Sequence, residues 1–137
     1  MRLFVYGTLM LHVAAGRSAK LVAALQKGLP ATTRGELYAV EDEAGWYAAL
    51  MPDPVGAKVA GIVHEIGEAE MAAIDLFERT GEDYDRRSVN VMLPNGFAVA
   101  AGAYCWRKPI EGLTRIEHGD FARWLDETGN EPYREDP

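Results

Sequence analysis

Glu78 is the residue in this chain whose position most asks for a chemical explanation. It closes the run Met71-Ala72-Ala73-Ile74-Asp75-Leu76-Phe77-Glu78. At 100° per residue, Met71, Ile74 and Phe77 form one apolar stripe, and Glu78 projects almost the same way. Glu70 falls at a similar angle, but in a first turn, where the helix dipole favours an acid; Glu78 stands near the other end, where it does not. A carboxylate turned toward a core needs a partner or holds its proton to a higher pH. Two explanations stay open. Glu78 is a rim residue paired with Arg79, Arg86 or Arg87, or it is a general acid/base lifted toward neutrality by an apolar pocket.

A second irregularity lies at Tyr6-Gly7-Thr8-Leu9, where the apolar run that begins at Leu3 is interrupted. It reads either as a strand ending in a glycine turn or as a small nest of backbone N–H groups that binds an anionic group. Tyr84 and Arg86 follow the Glu78 helix and enter the next strand. They read equally as a structural pair, with the tyrosine hydroxyl satisfied and the arginine on a carboxylate, or as substrate contacts. Asp75 either orients neighbouring groups or finishes the helix surface.

These groups need elements to carry them. Residues 2–6 read as a short buried strand and 17–26 as a helix that stops near Gly28-Leu29-Pro30. Strand-like runs follow at 33–41, 46–52 and 57–66. The clearest helix is 68–80, with Gly81 as its stop. Residues 87–93 alternate like a strand, Pro94-Asn95-Gly96 signals a hairpin, and 97–106 is the returning strand. A short helix lies within 118–129, with Asp120 near its start. The tally predicts one α+β domain over residues 1–128: a small mixed β-barrel or a strongly curved sheet flanked by a few helices. Residues 129–137 read as a frayed tail.

The chain has 137 residues, a net charge of −7 and 48% hydrophobic residues, the balance of a globular domain with a real core. An acidic surface repels phosphate backbones and anionic lipids, so neither nucleic acid nor membrane is expected as a partner. The start of the chain loosely imitates a signal peptide, but Tyr6, Gly7, Thr8 and His12 break the apolar block, and a cytoplasmic location is the expectation. The single cysteine, Cys105, excludes an intramolecular disulfide and reads as a small buried thiol. His12, His64 and His118 have no metal-ligand spacing, and no metal or other cofactor is expected. Nothing in the sequence sets an oligomeric state.

Taken in order, "FVYGTL" (4–9), "WYAAL" (46–50), "VAGIVHEI" (59–66), "IDLFE" (74–78), "YDR" (84–86) and "IEHGDFARWL" (116–125) resemble the gamma-glutamylcyclotransferase-like superfamily. The similarity is to its avirulence-induced-gene-like branch, which includes gamma-glutamylamine cyclotransferase, and it spans about residues 2–125. Two positions depart from the family pattern: Ala48 stands for a proline, and Ile74 for the leucine of L-D-x-x-E. The resemblance implies a reaction in which the α-amine of a small gamma-glutamyl compound attacks its own γ-carbonyl. The products are 5-oxoproline and a released amine or amino acid. It implies Glu78 as the acid/base, Gly7, Thr8 and Leu9 as the backbone cradle of the glutamyl part, and Tyr6 as pocket wall. Tyr84 and Arg86 are further candidates for substrate contact. A binding protein that keeps the pocket without turnover is the alternative.

Overall fold

The computed structural model describes residues 1–134. The apolar start forms β1 (Arg2–Val5), buried from Leu3 onward because both faces are covered. A turn and α1 (Arg17–Ala23) follow, then β2 (Leu29–Asp42), β3 (Gly45–Pro52) and β4 (Ala57–Glu65). Next come α2 (Glu68–Phe77), β5 (Tyr84–Met92) and β6 (Ala98–Trp106). The two-residue β7 (Thr114–Arg115) and α3 (Phe121–Thr128) complete the order. Among the described residues no helix is long and apolar enough to cross a membrane.

The result is the strongly curved sheet, seven strands with three helices. The strand order is β1-β4-β2-β3-β6-β5, and the sheet curls until β1 also meets β6 in parallel at Leu3 and Gly102. The 14-residue β2 makes the curl possible. Its first half, through Gly35, pairs with β4, and its second half, from Gly35, pairs with β3. Gly35 is the pivot, and a Cβ there would stand 2.5 Å from the Met51 carbonyl, so a side chain would push the strands apart. The core includes Leu3, Phe4, Leu37, Leu50, Ile74 and Phe121, each almost fully buried.

Several boundaries differ from the sequence expectation. Helix α1 ends three residues early, and β2 begins four residues before its predicted start. Strand β5 starts at Tyr84 instead of residue 87, so Tyr84 and Arg86 belong to the sheet. The hairpin at 94–96 forms as expected, with Phe97 N–H on the Asn95 side chain at 3.0 Å and Gly96 at φ 87°.

Within the predicted frayed tail, residues 131–134 are a correction. Residues 131–134 run along the start of β3: Trp46 N–H donates to Glu131 O at 2.9 Å, and Tyr133 N–H to Trp46 O at 2.7 Å. These backbone bonds and the contacts of the Tyr133 ring with Tyr47 and Phe77 hold the segment against the body of the protein. Residues 135–137 of that expected tail lie outside the described residues.

Candidate functional site

The turn after β1, the start of β3, the end of α2 and the strands β5 and β6 enclose one cavity. It contains about 300 Å³ of space, its mouth included, and its wall holds Gly7, Thr8, Leu9, Tyr84, Tyr104 and Glu78. A second cavity, with about 420 Å³ of space when its open mouth is included, adjoins it and shares Thr8, Tyr47, Glu78 and Tyr84.

Residues 7–10 make a turn closed by Met10 N–H on Gly7 O at 3.0 Å. Gly7 has no positive φ; it is glycine because its Cβ would stand 2.9 Å from the Ala48 Cβ. Close packing on β3 therefore decides the residue, and the backbone of the turn lies against the cavity. Among the described residues, the N–H groups of Gly7, Thr8 and Leu9 have no hydrogen-bond acceptor. Three consecutive unpaired amides at a cavity wall are suited to an oxygen ligand.

Helix α2 stops earlier than its 68–80 pattern, at Phe77, and Glu78 is its cap residue. The stop is a Schellman arrangement: Thr80 N–H bonds Asp75 O at 3.1 Å and Arg79 N–H bonds Leu76 O at 3.2 Å. The left-handed position falls on Arg79, at φ 52°, and not on glycine. A non-glycine residue there is under backbone strain, which the surrounding bonds must hold. Glu78 N–H meanwhile bonds Ile74 O at 2.9 Å, so the backbone that carries the carboxyl is fixed on both sides.

Glu78 makes no ion pair among the described residues: Arg79 pairs with Glu82 and Asp83, and Arg86 with Asp75. Burial raises its pKa from 4.5 to about 8, and the negative charge of Asp83 adds to the rise. The carboxyl lies at the C-terminal end of α2, where helix carbonyls also oppose ionisation. At neutral pH it holds a proton it can give up at small cost, the condition suited to a general acid/base.

Four tyrosines surround it. Tyr6 donates to Tyr104 O and accepts the Leu50 N–H at 3.2 Å, so its hydroxyl ties β1 to β3 and β6. Tyr84 donates to Ala48 O at 2.5 Å. Tyr104 donates to Asp75 at 2.7 Å. Burial raises the pKa of all three, so their hydroxyls keep their protons. Tyr47 differs: its hydroxyl has no partner among the described residues, while its ring lines both cavities. Burial and the nearby Asp83 and Asp42 charges push it up to about 12.

The structure thus brings Tyr6, Gly7, Thr8, Leu9, Glu78 and Tyr84 to one cavity and leaves Arg86 out of its wall. Arg86 instead grips Asp75 with Nε at 2.9 Å and a second nitrogen at 3.2 Å. It is a structural partner: the pair holds Asp75, and Asp75 holds Tyr104. Sequence reasoning did not single out Tyr47, Tyr104 or Tyr133. Tyr104 lies in an apolar run where an aromatic reads as core, and Tyr133 lies in the segment expected to fray. Cys105 is a buried free thiol, pushed up to about 11 by that burial. Among the described residues no three His, Cys, Asp or Glu side chains cluster as metal ligands.

Comparison with known proteins identifies the family. The sequence profile described as "Gamma-glutamyl cyclotransferase, AIG2-like" matches residues 3–123. The gamma-glutamylcyclotransferase family protein ytfP of Citrobacter rodentium is 33% identical over 126 residues, covering 92% of this chain and 96% of the relative. YtfP of Escherichia coli K12 is 32% identical, with 92% and 97% covered. Among solved structures, YkqA of Bacillus subtilis matches with a TM-score of 0.72 and 24% identity; the match covers 93% of this chain and 42% of YkqA. A mouse AIG2-like protein matches with a TM-score of 0.69 and 21% identity over 85% of each chain, a likeness of fold. By the profile and by these relatives, the chain belongs to the AIG2-like gamma-glutamyl cyclotransferase family.

Proposed function

We propose that this protein is a gamma-glutamylcyclotransferase that converts a small gamma-glutamyl compound to 5-oxoproline and a free amine or amino acid. One observation carries the proposal: an unpaired carboxyl with its pKa near 8 and three unpaired backbone amides line the same cavity. The amides of Gly7, Thr8 and Leu9 hold the glutamyl part and fold it so that its α-nitrogen faces its own γ-carbon. Tethering supplies much of the rate, since five-membered ring closure has an effective molarity of about 10⁵ M or more.

Glu78 then moves one proton. The α-ammonium first gives one proton to solvent, and the freed amine attacks the γ-carbonyl, whose oxygen becomes negative; ionised Glu78 takes the second proton from the attacking nitrogen, which the new bond has made cationic. As the tetrahedral species collapses, the bond from the γ-carbon to the departing nitrogen breaks, and Glu78 returns the proton to that nitrogen. The carboxyl ends as it began, and no other reactant enters. A pKa near 8 suits both halves of the cycle, because neither transfer is steeply uphill.

The test is release of 5-oxoproline from a panel of gamma-glutamyl amines and gamma-glutamyl amino acids, by wild type and by Glu78→Gln. Release that the folded variant loses supports the reaction and the residue. Activity retained in the variant moves the proton transfer to another group. No release by wild type, with panel members still raising its melting temperature, favours a binding protein.

A further inference from the structure

Strand β1 has a cavity at each end. Beyond its last residue lies the Tyr6–Leu9 turn and the space beside Glu78. Its first residue, Arg2, lines a separate cavity, roughly 15 Å away by strand length. That cavity holds about 660 Å³ with its open mouth included, and it shares no lining residue with those at Glu78.

Its wall combines three chemistries. Val63, Leu93 and Val99 make an apolar side between β4 and the β5–β6 hairpin. Arg2 and Glu65, cross-strand partners, form an ion pair at 3.0 Å and offset each other. Lys27 is exposed, and its ammonium has no partner among the described residues, so one positive charge is left over on a chain whose net charge is −7.

His64 supplies the third. It lines the same cavity and is 6% exposed. Its Nδ1 stands 2.8 Å from the Gln26 carbonyl oxygen. A carbonyl oxygen only accepts, so this bond assigns the ring proton to Nδ1 and leaves a lone pair on Nε2. Nε2 is buried and has no partner among the described residues. The backbone at Gly28 packs close on the ring, since a Cβ there would stand 2.9 Å from His64 Cε1. A buried acceptor without a donor carries a cost that a donor-bearing ligand removes.

We propose that this cavity binds a small amphiphile with a carboxyl head and an apolar chain. The chain lies along Val63, Leu93 and Val99, and Lys27 meets the negative charge of the head. One proton, taken from solvent as the head enters, is shared between a carboxyl oxygen and Nε2 and satisfies both. An alcohol head satisfies Nε2 alone. An ammonium head meets Lys27 and Arg2 with like charge.

Octanoate, octanol and octylammonium, each monomeric in solution, test the head, and hexanoate tests the chain; calorimetric titration reads the affinities. Octanoate should bind about two- to fivefold more tightly than octanol, and octylammonium should be weakest. Hexanoate should bind about tenfold more weakly than octanoate. Lys27→Gln, at an exposed position, should remove the advantage of octanoate over octanol. His64→Leu should weaken both by about two- to tenfold; if that variant does not fold, Lys27→Gln decides alone. Methyl NMR should place the perturbation at Val63, Leu93 and Val99. Equal binding of all three heads, no dependence on chain length, or an octanoate advantage that survives Lys27→Gln overturns the site. So do shifts at Leu9, which belongs to the Glu78 cavity, or shifts spread over the exposed methyls of Leu11, Val55 and Leu76. The absence of octanoate binding at millimolar concentration overturns it as well.

Discussion

Glu78→Gln should abolish turnover and at the same time stabilise the fold at neutral pH. The carboxyl of an unfolded chain ionises near 4.5, while in the folded protein it keeps its proton to about 8. Between those values the folded state binds more protons than the unfolded state, so stability falls as pH rises. The slope is about 1.4 kcal/mol per pH unit for a single group. From 4.5 to 7 that amounts to about 3 kcal/mol as an upper bound, and partial contact with solvent reduces it, so about 1–3 kcal/mol is expected. Glutamine is nearly isosteric and does not titrate. The difference between variant and wild type therefore isolates this one group while every other titration cancels. Urea unfolding followed by tryptophan fluorescence at pH 4.5, 6, 7 and 8 reads the gap directly. It should be near zero at the lowest pH, grow steadily, and correspond at pH 7 to about 3–10 °C in Tm. A gap that stays constant from pH 4.5 to 8 would refute the reasoning, because it would mean that folding does not move the Glu78 pKa.

The same pKa sets the acid limb of kcat/KM, which should rise about tenfold per pH unit and bend near about 8, far above an ordinary glutamate; a bend near pH 4–5 would contradict it. Gly7→Ala should destabilise the fold by about 1–3 kcal/mol and reduce turnover through the 2.9 Å approach to Ala48. The double variant Gly7→Ala with Ala48→Gly should recover much of that stability, as denaturation curves would show. Tyr6→Phe should cost about 1–3 kcal/mol in urea unfolding, because it leaves the buried Leu50 N–H and the Tyr104 carbonyl without their partner.

How much of this could be read from the sequence depended on the range of the interaction involved. The Met71, Ile74, Phe77 stripe is local, and all three residues are buried as the spacing implies. Glu78 stood out because it followed that stripe with an acid. The end of the helix was misplaced because the eye goes to Gly81, whereas the left-handed turn falls on Arg79 and is held by the Thr80 and Asp75 bonds around it. Arg86 was readable as a carboxylate partner, but only the packing of β5 beside α2 shows that its carboxylate is Asp75. Tyr47 and Tyr104 gave no local signal, since an aromatic in a strand looks the same whether it faces a core or a cavity. The tail was misjudged for a physical reason: its polar composition says nothing about backbone bonds to a strand some 85 residues earlier, and those bonds place Tyr133.

The ties that shape the cavity also join distant parts of the chain. Tyr6 and Tyr104 are separated by 98 positions, Leu50 and Tyr6 by 44, and Tyr84 and Ala48 by 36. Each must close a long loop before it contributes anything, and such closures come late and slow folding. A chain that has formed its helices and the β5–β6 hairpin, but has not yet seated β1 between β4 and β6, carries Glu78 without a nest of amides beside it. Competence for chemistry and completion of the tertiary structure are therefore one event. In a refolding experiment, activity should return with the slowest tertiary phase and not with secondary structure, so a mutation far from the cavity lowers turnover chiefly by changing how many molecules have finished folding.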